Sequence, residues 1–365
     1  MIMKFELRKK SVIVIISIII IILSVVLIVA FNMKDDKKEP EPTPEPIDTV
    51  VKITSTKVDD TKLIQYNNGD FSMKVPEGWQ VEVVQGKNYG IRVYNPDDER
   101  YQIFYYYSLG GFLKNKEAKQ YYQVYSGISS TGFEKLPILN PGTVENLFKT
   151  WTTIVGYAKT NIQGYANFNF PFLFNFKVKE QFELGSDLKK SLGTKVTEGI
   201  VKAEYTNDTG KDKAEGLFTT IIVDLDSSDT KLPLAVYNTI GVTAEYTEFI
   251  NWKDILFECL GSIKFSDKYI ESVKSHADEE TVIDLNAEIQ NVVASYKEAW
   301  KNRDTSEEIS VQIEKDENLG KERVYDVNTG KVYLADKGWF EKYVGDVYKQ
   351  VERNMYLEPI AGNIE

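Results

Sequence analysis

A chain of 365 residues with 55 acidic against 44 basic side chains has a formal net charge of −11, which argues against nucleic acid or an anionic lipid surface as a partner. One cysteine, Cys259, excludes an intramolecular disulfide, and one histidine, His276, excludes Cys/His zinc sites and leaves triad chemistry only an imidazole in the polar stretch KSHADEE. Aromatics make up 12% of the chain, with 22 Tyr and 18 Phe, and with abundant Val, Ile and Thr they predict a sheet-rich α+β fold.

Residues 1–10 form a short tail with Lys4, Arg8, Lys9 and Lys10, diluted by Glu6. Ser11–Phe31 follows, 21 residues without a charge, a proline or a glycine. As a helix it is roughly 31 Å long, the thickness of a bilayer core, and predicts a single transmembrane segment. The run exceeds the ~7–15 residues of a signal-peptide core, and its one small exit residue, Ala30, has Ile28 two positions before it. It therefore reads as a retained signal anchor. Basic residues before it, against Lys34, Lys37 and Lys38 interleaved with Asp35, Asp36 and Glu39 after it, predict an inside N-terminus and an extracellular remainder in a single-pass membrane protein. Residues 32–60 form a Pro/Glu-rich spacer centred on EPEPTPEP. In polyproline II this reaches up to ~90 Å as a stalk; without that order it is a tether of no fixed length.

The main domain is expected over 61–265. In NNGDFSMKVPEGWQVEVV, turn residues precede Phe71, Met73 and Val75 at period two, a strand that turns at Pro76 and Gly78 with Trp79 aimed at the core. GIRVYNP and YQIFYYYS read as two strands paired across PDDER, followed by a helix from about Asn115 to Tyr125. Leu147, Trp151 and Ile154 have helical spacing. In GYANFNFPFLFNFKV, Tyr165 to Phe176 nearly alternate, and Pro171 demotes the run to an edge strand or splits it. Glu198–Asp208 and Ala214–Asp224 read as a hairpin, Leu234–Tyr246 as a strand, and Phe249–Ser262 as an amphipathic helix burying Phe249, Trp252, Ile255, Leu256 and Leu260.

FSMKVPEGWQV at one end of this region and ILFECLGSIKF at the other resemble the edges of the PsbP/Mog1-like family. That resemblance implies an antiparallel sheet packed by helices in an α/β/α sandwich, in a fold whose members are mostly noncatalytic binding or assembly modules. Ser266–Asp278 reads as a polar link. Residues 279–365 are expected to form a small C-terminal module: a helix over Glu279–Asp304 with Val282, Leu285, Ile289, Val292, Val293, Tyr296 and Trp300 on one face, a second helix, then a hairpin turning at Asn328–Gly330. The elements GKERVYDVNTG and YLEPIAGNIE resemble the tail of surface-anchored proteins of gram-positive-type bacteria, a resemblance that implies an address and no activity.

Few chemistries find residues. DLDSSD and DVNTG offer carboxylates for Ca²⁺, but DVNTG has no glutamate at the twelfth position, and both read as solvated turns, so no metal or cofactor site is assigned. With 55 acidic residues, no carboxylate pair is singled out for glycoside hydrolysis, and no phosphate loop or catalytic residue is assigned. Three classes remain: a noncatalytic surface binding or assembly module, an accessory or sensor subunit of a membrane complex, and an envelope-polymer hydrolase. The surfaces suited to a protein partner are Phe170, Phe172 and Phe174 in the aromatic stretch, should they face solvent, and Trp339, Phe340 and Tyr343 after the C-terminal hairpin.

Overall fold

Short-range chemistry sets the first hairpin. After the two-residue strand β1 (Ile53–Thr54), β2 (Leu63–Asn67) and β3 (Phe71–Pro76) pair antiparallel. Asn68 Oδ1 closes their turn by accepting the N–H groups of Asp70 and Phe71, each at 3.1 Å. Phe71, Met73 and Val75 are buried. The structure is a computed structural model and describes residues 51–86, 88–126, 132–224, 226, 228–274 and 284–365. Val50–Glu341 with Gly345–Glu365 form one compact unit.

Its centre is an antiparallel sheet of seven strands: β4 (Gln80–Val84), β5 (Gly90–Tyr94), β6 (Gln102–Phe112), β7 (Phe174–Phe182), β8 (Val196–Thr206), β9 (Lys213–Asp224) and β10 (Leu234–Glu245). Their order is β4-β5-β6-β10-β9-β8-β7. The inner strands need close approach at Gly216, where a Cβ would stand 2.1 Å from the Val242 carbonyl oxygen on β10. A short strand, β11 (Lys264–Phe265), joins β3 and β2 in a separate three-stranded sheet.

Side chains alternate across the large sheet, so each face needs its own cover. Beyond β6 comes α1 (Lys116–Tyr125), capped by the Asn115 side chain, which accepts from the Ala118 N–H at 2.7 Å. One face is covered by α2 (Val144–Lys149), α3 (Trp151–Asn161) and the aromatic segment 162–173. Trp151, Phe104, Tyr106 and Phe218 lie at its centre. The other face packs against α4 (Asp187–Leu192), α5 (Phe249–Gly261), α6 (Asp267–Lys274) and α7 (Leu285–Asn302). The α5 stripe behaves as its spacing requires: Phe249, Trp252, Leu256 and Leu260 are buried, Ile255 partly so, and Trp79 stacks on Trp252 at 5.8 Å.

The expected fold class is corrected on two counts. Among the described residues no helix is long and apolar enough to cross a membrane; the described architecture is mixed α/β with large antiparallel sheets. The longest helix among the described residues, α7, has 18 residues, with Glu288 buried among its apolar side chains and Lys297, Glu298 and Lys301 exposed. Ser11–Phe31, where the span was expected, lies outside the described residues, as do the 1–10 tail, most of the spacer and His276.

Nor is there a detached helix-and-hairpin module after the main sheet. Leu285, Ile289, Val292, Tyr296 and Trp300 of α7 belong to the same core as Phe249 and Leu217, because burying this stripe against α5 removes its apolar area from water. Next come α8 (Ser306–Asn318), β12 (Lys321–Asp326), β13 (Val332–Asp336), β14 (Tyr348–Gln350) and β15 (Ile360–Ile364). A five-stranded sheet orders these strands as β1-β15-β13-β12-β14, so a strand from the start of the described chain forms one edge of it. Asp316 of α8 and Arg323 of β12 join the two elements through a fully buried ion pair at 2.6 Å. Part of the expected polar link 266–278 is the helix α6, which buries Tyr269 against Tyr89 and Phe265.

Candidate functional site

The aromatic stretch is mostly core. Tyr165, Phe168, Phe170 and Phe176 are buried, and Phe170 sits against Tyr106, Tyr165 and Trp151. Only 174–182 is strand, at the free edge of the large sheet. The residues before it leave the sheet because the Trp151 indole N–H donates to the Pro171 carbonyl at 2.9 Å and holds the segment over α3. Phe170 is therefore corrected from a contact residue to a core residue. Phe172 is 56% exposed and stacks on half-buried Phe174 at 6.1 Å, leaving a surface of about one ring. Trp339 meets Tyr348 edge-on at 5.8 Å, the Phe340 N–H donates to Glu322 at 2.7 Å, and both residues, like Tyr343, are half-buried. Phe170 thus lies in the core, Phe172 and Phe174 at the edge of the large sheet, and Trp339 and Phe340 after β13. Phe172→Ala is expected to change unfolding free energy by less than about 0.5 kcal/mol in urea denaturation, since little burial is lost.

The chemistry collects elsewhere, at the end of the sheet where β7, β8 and β9 run beneath α8. On β8, Ile200, Lys202 and Glu204 point to one face, and on β9 Glu215 and Leu217 point to the same face. Ile200 and Leu217 enter the core; one residue pair further along, the inward positions are charged. Lys202 is almost wholly buried, and its ammonium bonds directly to Glu308 of α8. Glu180 on β7 lies 3.9 Å from the same ammonium and accepts the Asp304 N–H at 2.7 Å. Arg303 binds Glu308 through Nε and Nη2 at 2.8 Å while its guanidinium lies 3.6 Å over the Trp300 ring. This staple fixes the α7–α8 corner on the sheet.

Glu215 stands at the edge of this network. Its side chain is 10% exposed, its nearest cation, Lys202, stands 4.0 Å away, beyond hydrogen-bond reach, and among the described residues no group hydrogen-bonds its carboxyl. Burial pushes this carboxyl up to about 8, Lys202 and Arg303 pulling it down and Glu308 and Glu245 adding to the rise. Glu215 and Lys202 line a cavity of about 140 Å³ that runs past Tyr246, Ile250 and Val311 to a rim at Asp304, Ser306 and Glu307. At neutral pH the floor presents a protonated carboxyl, able to donate one hydrogen bond or to ionise when a positive charge arrives.

A larger groove of about 370 Å³ lies between α5, α8 and β15, lined by Tyr101, Trp252, Leu319 and Ile360. Of its charged groups, Lys315 binds Glu248 and Asp316 binds Arg323, while Lys57 is exposed at its edge. Cys259 is buried and its thiol is pushed up to about 12, so it supplies no thiolate. Among the described residues no three His, Cys, Asp or Glu side chains converge as metal ligands. No family model matches this chain, and no curated protein is significantly similar to it.

Sequence reasoning missed Lys202, Glu215 and Glu308. No break in alternation marks the first two, because Glu198 and Glu204 on β8 and Thr219 on β9 share their face. Nothing local to α8 announces Glu308.

Proposed function

We propose that this chain is a noncatalytic binding module, displayed outside the cytoplasm and held at the cell membrane by its uncharged N-terminal run. The observation that carries the binding reading is Glu215: a nine-tenths buried carboxyl in the floor of a cavity, with Lys202 at 4.0 Å and, among the described residues, no hydrogen bond. Such a group costs stability, and a ligand that satisfies it repays that cost on binding. The neighbouring carboxylate Glu308 is held by Lys202 and Arg303 and has no freedom to act as a base or nucleophile. The location rests on Ser11–Phe31 and the four basic residues before it.

A thermal-shift screen tests this reading. The full chain, in non-ionic detergent, is heated with a panel of small cations, anions and neutral polyols, beside a Glu215→Gln variant. At least one compound is expected to raise the melting temperature of the parent and leave the variant unmoved. If every compound leaves the parent unmoved, the cavity is not a binding site.

A further inference from the structure

We infer that the cavity beneath α8 takes a small aliphatic diamine, one ammonium at Glu215 and the other at the Asp304 and Glu307 rim. This deepens the binding reading above and rests on it.

Charge comes first. Five carboxyl groups line the cavity, those of Glu180, Glu215, Asp304, Glu307 and Glu308, against the two ammonium groups of Lys179 and Lys202. Both lysines are already engaged, Lys202 by Glu308 and Lys179 by Glu204 and Glu307 at 3.5 and 3.3 Å. The lining is thus net negative whether or not Glu215 is ionised, and an entering cation meets complementary charge at both ends.

Shape and polarity narrow the class. Ile250 and Val311 give the lining apolar surface, matched to methylenes. A cavity of about 140 Å³ holds a molecule of about six heavy atoms, by comparison with benzene-sized sites. A metal ion is a poor fit, because the described carboxyls do not converge as ligands. A neutral diol has the shape but leaves the net negative lining unanswered.

Binding is coupled to one proton. The groups facing Glu215 are Lys202 and Glu204 on β8, Glu245 and Tyr246 at the end of β10, Lys179 and Glu180 on β7, and Arg303, Glu307 and Glu308 from the α8 side. Burial keeps Glu215 protonated up to about pH 8, so an ammonium that bonds to the carboxylate must displace its proton.

Isothermal titration calorimetry of the full chain with 1,4-diaminobutane, in buffers of different ionisation enthalpy, tests this. At pH 7 nearly one proton is expected to leave per diamine bound, and affinity should be about twentyfold weaker at pH 6.5 than at pH 8.5. Glu215→Gln should bind at least tenfold more weakly, with no proton release. The proton count is read on the unmodified chain, so a poorly folding variant does not void the test. Butane-1,4-diol binding as tightly as the diamine overturns the diamine assignment and leaves a binding cavity. So does diamine binding without proton release. If diamine fails while the screen finds an anion or polyol that depends on Glu215, only the ligand class is wrong.

Discussion

Asp316→Ala is expected to lower the unfolding free energy by about 3–5 kcal/mol, because it leaves a guanidinium buried without its counter-charge. Arg323 has a side chain 1% exposed, and Asp316's is 3% exposed. Arg323 also donates to Gln312 Oε1 at 2.6 Å and to the Tyr356 carbonyl at 3.0 Å, and its charge lies 5.0 Å over the Tyr356 ring. These contacts hold the side chain in place but cannot neutralise it. Urea denaturation should show a lower midpoint with an unchanged slope. The pairwise replacement Asp316→Leu with Arg323→Met should recover most of the loss, since two apolar groups need no partner. A loss below about 1 kcal/mol for Asp316→Ala would mean that water reaches the pair and that α8 and β12 are not locked together.

The second large effect is a pH dependence. The Glu215 carboxyl is raised from 4.5 to about 8 in the folded chain. The native state therefore holds a proton that the unfolded state gives up between these values. Stability from this group is full below about pH 4.5 and is lost as pH rises through about 8. Glu215→Gln removes the titration. The difference in unfolding free energy between variant and parent should accordingly shift in favour of the variant by about 4 kcal/mol from pH 5 to pH 9. Measuring the difference cancels the other titrating groups. A difference flat across that range would place Glu215 in water. The same substitution that weakens ligand binding is thus expected to stabilise the empty protein at high pH, the pattern of a group kept at a cost for what it binds.

Much of the scaffold is legible in the sequence, and the reasons are local. Phe71, Met73 and Val75 alternate beside an Asn-rich turn, and β3 buries those three residues. The 3.6-residue spacing from Phe249 to Leu260 forms α5, and the Asn328–Gly330 turn closes β12 on β13, with Gly330 at φ 71°. What fails is what depends on distant partners. Phe170 looks like a strand residue until Trp151 draws Pro171 over α3. The C-terminal region looks separable until α7 finds α5 and β1 finds β15. The cavity is hidden for the same reason. Lys202 and Glu215 sit on the core-facing side of their strands, but Glu198, Glu204 and Thr219 share that side, and the meaning of the pair depends on Glu308, 106 residues beyond Lys202.

The most direct measurement is an NMR titration of the Glu215 side-chain carboxyl carbon in isotopically labelled full-length chain, assigned by comparison with Glu215→Gln. The expected midpoint is near pH 8 without ligand, moving down when the cavity is filled by a cation. A midpoint near 4.5 that no ligand moves would contradict it.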